Sequence, residues 1–299
     1  MDQFAGHQPE TRAVAFAAED GRTLRGRLIA PAAPIAVMVI NPATGYRQDF
    51  YTAFAEASAR QGWAVLVWDY RGQGASREVA FADEDARMLD WGLRDMPAAA
   101  RFACEEYPGL PLDVVGHSIG GHFVPLIDGD LPLRRVALLS SSSGYWGLHS
   151  APVKHLGWLF WRVVGPLQLA LKGHVPRGRL WRGEPLPAGV WNDWRDWGVT
   201  PDYFRDTLAE TGLLSRYAAF NTPVCAWVAD DDPIATPAAT RWLLAQFESA
   251  PTEMKIVRHA DLGRGRIGHD GFFREKMADV FWPQVWRWLA AEAPARAAA

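Results

Sequence analysis

Five short stretches of the 299-residue chain, 35–40, 63–68, 112–115, 135–139 and 224–229, are almost wholly apolar and rich in β-branched residues. A strand with one face in water alternates apolar and polar side chains, so runs without that alternation read as strands buried on both faces. Helix-compatible stretches lie between them, at about 48–60, 83–107 and 237–247. Strands alternating with helices require a mainly parallel sheet covered on both faces, and ligands then meet the loops beyond the carboxyl ends of the strands. The loops that matter are those after Ile40, Trp68, Leu139, Ala229 and Val257, together with the turn that follows Val115.

Around that frame, residues 12–16 and 23–28 flank Asp20-Gly21, a hairpin signal that predicts two antiparallel strands at the start. Residues 253–257 predict a last strand. Pro97 predicts a break in the stretch 83–107, Pro125 a short or kinked helix after residue 118, and Pro283 a kink in the final helical stretch, 272–290. Between 143 and 220 no buried strand is visible, yet seven of the 15 tryptophans fall there, which reads as an inserted, mainly helical cap. The alanine-rich tail from Glu292 is expected to fray.

Apolar residues make up 49% of the chain and charged residues 22%, with a net charge of -3, which argues against disorder and against a polyanion-binding surface. No nucleic-acid partner is expected. The first ten residues are polar and lack the basic and apolar regions of a signal peptide. The most apolar long stretch, 157–173, is interrupted by Arg162, Pro166 and Gln168 and is too short to span a membrane. Cys104 and Cys225 each sit in an apolar segment and are far apart, which fits reduced, buried thiols and a cytoplasmic location.

The turn after Val115 reads Gly116-His117-Ser118-Ile119-Gly120. Gly-x-Ser-x-Gly at the end of a strand has the layout of a nucleophile elbow, in which the two glycines leave room for a strained serine and its hydroxyl stands out above the sheet. A serine hydroxyl needs a base, and the base needs an acid that fixes its tautomer. The loop after Ala229 carries Asp230-Asp231-Asp232-Pro233-Ile234; Asp232 is preferred as the acid because Asp232-Pro233 begins the descent into the next helix, with Asp231 second. The loop after Val257 carries His259 and His269. His269, preceded by Gly268 and followed by the last helical stretch, is the preferred base and His259 the alternative. His117 and His122 flank the serine and are expected to bond locally. For the oxyanion, the N–H of Ile119 directly follows the nucleophile, and the turn Asn41-Pro42-Ala43-Thr44-Gly45 offers Ala43, narrowly preferred, or Thr44. No metal and no cofactor is required.

With these residues the chain resembles the α/β-hydrolases over nearly its full length: Asp69-Tyr70-Arg71-Gly72-Gln73-Gly74-Ala75-Ser76, Gly116 to Gly121, Asp232-Pro233-Ile234 and Gly268-His269. More narrowly, Ala43-Thr44-Gly45, Ser143-Gly144-Tyr145-Trp146 and Gly268-His269-Asp270-Gly271-Phe272-Phe273-Arg274 are similar to a bacterial branch of predicted serine hydrolases related to serine aminopeptidase-like and monoacylglycerol-lipase-like members. Where many relatives carry His-Gly, this chain has Asn41-Pro42. The expected fold is thus an α/β-hydrolase with a mainly parallel eight-stranded sheet, its core formed by 1–142 and 221–299 and a tryptophan-rich helical cap by 143–220. The expected function is hydrolysis of carboxylic esters or thioesters of a small-molecule acyl substrate through an acyl-enzyme. Acyl transfer, peptide or C–C bond hydrolysis, and ligand reception with little turnover stand as alternatives. Tyr145 and Trp146, just beyond a strand end, are expected to touch substrate. Arg162, Arg177, Arg179 and Arg182 read as a solvated face, and a homodimer is compatible with the chain.

Overall fold

The computed structural model describes residues 8–127 and 129–291; the tail expected to fray from Glu292 lies outside them. Strands β1 (Glu10–Ala17) and β2 (Thr23–Ala30) form the opening hairpin, with Gly21 at φ 81° in its turn. They are followed by β3 (Ala36–Asn41), β4 (Trp63–Asp69), β5 (Leu112–His117) and β6 (Leu133–Leu139). A two-residue pair, β7 (His174–Val175) and β8 (Leu186–Pro187), lies in the insertion, and β9 (Val224–Ala229) and β10 (Thr252–Val257) complete the series. Eight of these form one sheet in the order β1-β2-β4-β3-β5-β6-β9-β10. β2 runs antiparallel to both its neighbours, and every pair from β4 to β10 is parallel. This is the α/β-hydrolase sheet.

Every residue of β3, β4, β5 and β9 is buried, as unalternated apolar runs require. Successive side chains of β3 point to opposite faces: Val37 and Val39 join one core cluster, Met38 and Ile40 the other. Each such side chain contributes about 1.5–3 kcal/mol by leaving water. Helices Thr52–Arg60 and Met96–Glu106 pack on the sheet, and Pro237–Leu244 leads from β9 towards β10.

The proline expectations are redrawn by local geometry. Upstream of Pro97 the helix starts only at Met88 and widens into a π turn at Trp91–Asp95, which absorbs the hydrogen bond that proline cannot donate. After Ser118 no α-helix forms; two 3-10 turns, Ser118–Gly121 and Val124–Leu126, take its place, the second with Pro125 in its first turn. The last α-helix is Trp282–Ala290 rather than a kinked 272–290, because Pro283 occupies its first turn, where a missing N–H costs nothing.

Between β6 and β9 the chain leaves the sheet. Its longest element is Val153–Leu159, a π turn Phe160–Val164 and Gly165–Lys172 run end to end, followed by Ala188–Gly198 and two shorter helices. The β7–β8 pair buries Val175 and Leu186, so a small buried strand pair exists where none is visible in the sequence. Aromatic rings hold the segment together: Trp191 packs against Trp161 at 4.9 Å and Phe160 at 4.7 Å. Trp191 rests on Gly165, where a Cβ would stand 2.0 Å from the indole. No helix among the described residues is long and apolar enough to cross a membrane.

Candidate active site

β5 ends at His117 and the chain turns back on itself at Ser118, which adopts a left-handed φ of 53°. For a residue with a Cβ this conformation is strained, and the surroundings enforce it. A Cβ on Gly116 would lie 2.7 Å from the carbonyl oxygen of Gly120, and one on Gly120 would lie 2.1 Å from that of Asn41. The two glycines of the motif are therefore demanded by backbone contact between the turn, its own strand and β3.

Ser118 meets a histidine from the far end of the chain. Its Oγ lies 3.0 Å from His269 Nε2, and His269 Nδ1 lies 2.9 Å from Asp232 Oδ2. With Nδ1–H donating to the carboxylate, Nε2 is left to accept from the serine. Asp232 is buried and its other oxygen accepts from the N–H groups of Ile234 (2.8 Å) and Ala235 (3.0 Å). Burial disfavours its charge, but the imidazole and these two N–H groups outweigh it and hold the carboxyl below its usual range. Burial likewise opposes protonation of His269; the adjacent Asp232 carboxylate overcomes that and raises the imidazole above its usual value.

The neighbouring candidates are used elsewhere. Asp231 accepts from the N–H groups of Ile267 (3.0 Å) and Gly268 (2.8 Å), shaping the loop that delivers His269. His259 Nδ1 pairs with Asp230 Oδ1 at 2.8 Å, exposed to solvent. Asp230, Asp231 and His259 are the one metal-type grouping among the described residues, and these bonds engage both oxygens of Asp231 and Oδ1 of Asp230. His117 does bond locally: Nδ1 is 2.9 Å from the Tyr51 hydroxyl and Nε2 is 3.0 Å from the carbonyl oxygen of His269. Burial, with the His269 imidazole close by, pushes His117 down to about 3, so it stays neutral. Its Nε2–H then donates to His269 O, and Nδ1 accepts from Tyr51.

That tautomer has a consequence for the turn after β3. The N–H of Ala43 donates to the Tyr51 hydroxyl at 2.8 Å, so the narrowly preferred oxyanion donor is already engaged. Thr44 is buried beside it and its Oγ1 has no hydrogen-bond partner among the described residues. Ala43, Thr44, Ser118, Ile119 and His269 line one cavity of about 350 Å3. Its opposite wall comes from the insertion, chiefly Phe160, Trp161, Trp181 and Trp194, and it contains no aspartate or glutamate.

A family comparison then places the chain. The family described as serine aminopeptidase, S33, matches residues 32–260, which stops short of His269. The chain belongs to this family. Among curated proteins no sequence matches. In three dimensions it is similar to an esterase of Pyrococcus furiosus, with a TM-score of 0.63 at 13% identity over 94% of this chain and 90% of the other. It is also similar to the esterase domain of a Rhodothermus marinus protein (TM-score 0.55, 19% identity, 93% and 98% covered). A dienelactone hydrolase of Anabaena variabilis gives a TM-score of 0.53 at 14% identity, with 94% and 95% covered. At these identities the shared property is the fold.

In this S33-family chain the structure corrects one site expectation. Tyr145 and Trp146 do not line the cavity; Gly144 does. Gly144 sits against the Tyr203 ring, where a Cβ would lie 2.7 Å from its hydroxyl, while Trp146 is taken up under the Lys154 ammonium at 5.6 Å. The segment Asp69 to Ser76 is likewise outside the cavity; buried Asp69 accepts from the N–H groups of Gln48 and Ala75 and ties β4 to its neighbours. The residues missed from sequence are Tyr46, Tyr203, Leu180, Trp181 and Gly183, and with them His122, expected to bond locally, and Arg179 and Arg182, expected on a solvated face, also stand on the cavity wall. One signal for Trp181 was available. Gly45 follows the oxyanion candidates, and a Cβ on it would stand 2.5 Å from the Trp181 ring, so that glycine marks where the insertion seats.

Proposed function

We propose that this protein is a cofactor-independent serine hydrolase of carboxylic esters or thioesters, working through an acyl-enzyme. The observation that carries the reading is the continuous hydrogen-bonded series Ser118–His269–Asp232, at 3.0 and 2.9 Å, opening onto an apolar cavity. Ser118 Oγ attacks the acyl carbonyl as its proton passes to His269 Nε2. Asp232 keeps the imidazole in the Nδ1–H tautomer and stabilises the imidazolium. The imidazolium then protonates the leaving alcohol or thiol, and a water activated by the same nitrogen releases the acid. The Ile119 N–H is assigned to the oxyanion, with Thr44 as second donor in preference to Ala43, whose N–H already serves Tyr51. Residues 143–220 act as a cap that keeps water from the acyl group.

Aminopeptidase chemistry is disfavoured despite the family's description. An aminopeptidase must hold the free ammonium of its substrate, and among the described residues the cavity wall includes no carboxylate for it; instead it includes Arg179 and Arg182. The fold likeness to two esterases points the same way.

A fluorophosphonate probe is expected to label the protein at Ser118. Ser118→Ala and His269→Ala are each expected to lower turnover of p-nitrophenyl esters by roughly 10^4-fold or more, while His259→Ala leaves it nearly intact. Undiminished turnover in Ser118→Ala refutes the assignment.

A further inference from the structure

The outward face of the insertion's longest helical element is apolar along its whole length. Leu156, Leu159, Val163, Leu167 and Leu171, spaced three or four residues apart, lie on one side of the run from Val153 to Lys172. All are exposed, Leu167 at 58% and Leu171 at 74%, and Trp158 stands beside them at 45%. The stripe is about 22 Å long at helical rise. The opposite face, Phe160 and Trp161, is buried against the aromatic cluster and lines the cavity, so the element cannot rotate to hide its leucines. Elsewhere among the described residues, exposed large apolar side chains occur only singly, at Ile35, Val79 and Ile256.

Along the sequence of the insertion's first half, charge is of one sign. From Leu131 to Gly183 the sequence contains no aspartate or glutamate, whereas 143–183 carries Lys154, Arg162, Lys172, Arg177, Arg179 and Arg182, in a chain whose net charge is -3. None of these six forms an ion pair among the described residues, and five are exposed. Arg179 and Arg182 stand on the cavity wall with Leu156, the first residue of the stripe.

We propose that this face is a docking surface for an anionic lipid bilayer, with the leucine stripe entering the acyl boundary and the cations meeting the headgroups around the cavity mouth. An apolar helix face edged by tryptophan, arginine and lysine is the physical signature of an interfacial helix. A second copy of this chain is the competing occupant. An isologous contact through the same face would set the cations of the helical run against their own copies, and a bilayer of anionic lipid supplies the charge that a second copy lacks.

The inference goes beyond the proposed chemistry and is tested separately from it. In co-sedimentation, the full chain is expected to bind phosphatidylglycerol-containing vesicles, to release in high salt, and to bind pure phosphatidylcholine vesicles poorly. Ser118→Ala is expected to bind as the unchanged protein does. The triple variant Val163→Ser, Leu167→Ser, Leu171→Ser, whose positions do not line the cavity, is expected to lose at least about tenfold in vesicle affinity while still hydrolysing a soluble short-chain ester. Absence of binding to anionic vesicles, or equal binding by the triple variant, overturns the proposal. So does a protein that sediments as a dimer when unchanged and as a monomer in the triple variant without vesicle binding, since the stripe then belongs to a second copy.

Discussion

The two walls of the cavity are held by different forces. On the sheet side, Ser118, His269, Asp232, His117, Tyr51 and Ala43 form one run of directional hydrogen bonds between 2.8 and 3.0 Å, drawn from the ends of β3, β5 and β9, the loop after β10 and the turn Gln48–Tyr51. On the insertion side, Phe160, Trp161, Trp181, Trp191 and Trp194 meet ring to ring, with centroids 4.7 to 6.3 Å apart. Proton transfer tolerates little displacement of donor and acceptor, so the chemical wall needs bonds that fix angle as well as distance. A roof over an acyl group needs volume and dryness, which rings supply with a weaker directional demand.

The comparison is sharpest where the chemical wall is broken. Asp232→Asn keeps the shape but offers His269 an amide where it needs an anion, and turnover is expected to fall by about 10^3- to 10^4-fold. The pH–rate profile carries a second sign. His269 must be neutral to accept the serine proton, and Asp232 raises its pKa above the ordinary 6.5, so kcat/KM is expected to rise through a pH above that value. Loss of the carboxylate removes what favours the imidazolium, so the limb moves to lower pH in the residual activity. An unmoved limb would place its origin in another group.

A smaller break lies one bond further out. Tyr51→Phe deletes the hydroxyl that joins Ala43 N–H to His117 Nδ1 and leaves both buried groups unpaired. A stability loss of about 1–3 kcal/mol is expected in urea unfolding. Turnover is expected to fall about tenfold in kcat with little change in KM, since His117 in turn holds the His269 carbonyl. A change confined to stability would make the Tyr51–His117 link structural only.

The roof should respond least and differently. Trp194 is half-buried on the cavity wall and meets Trp161 and Trp181 at 4.7 and 5.3 Å. Trp194→Ala is expected to leave acetate ester turnover within about threefold and to shift the kcat/KM preference towards longer acyl chains by about two- to tenfold. A loss as large as that of Tyr51→Phe, equal for all chain lengths, would erase the distinction between the walls.

Composition and short-range pattern suffice for the sheet and for the turn that carries Ser118. Runs such as 35–40 and 224–229 leave no wet face for a strand, so the doubly covered parallel sheet follows, and Gly116 and Gly120 bracket Ser118 because backbone atoms stand where a Cβ would. Folding gives different partners to residues that the sequence makes equivalent. Asp231 and Asp232 are adjacent and chemically identical, yet one faces the N–H groups of Ile267 and Gly268 and the other faces His269 Nδ1. Ala43 and Thr44 differ in the same way, because a tyrosine eight residues downstream of Ala43 turns its hydroxyl onto that N–H. The direction in which a side chain or an N–H points is set by partners brought close only by folding, and neighbouring positions of one loop meet different partners.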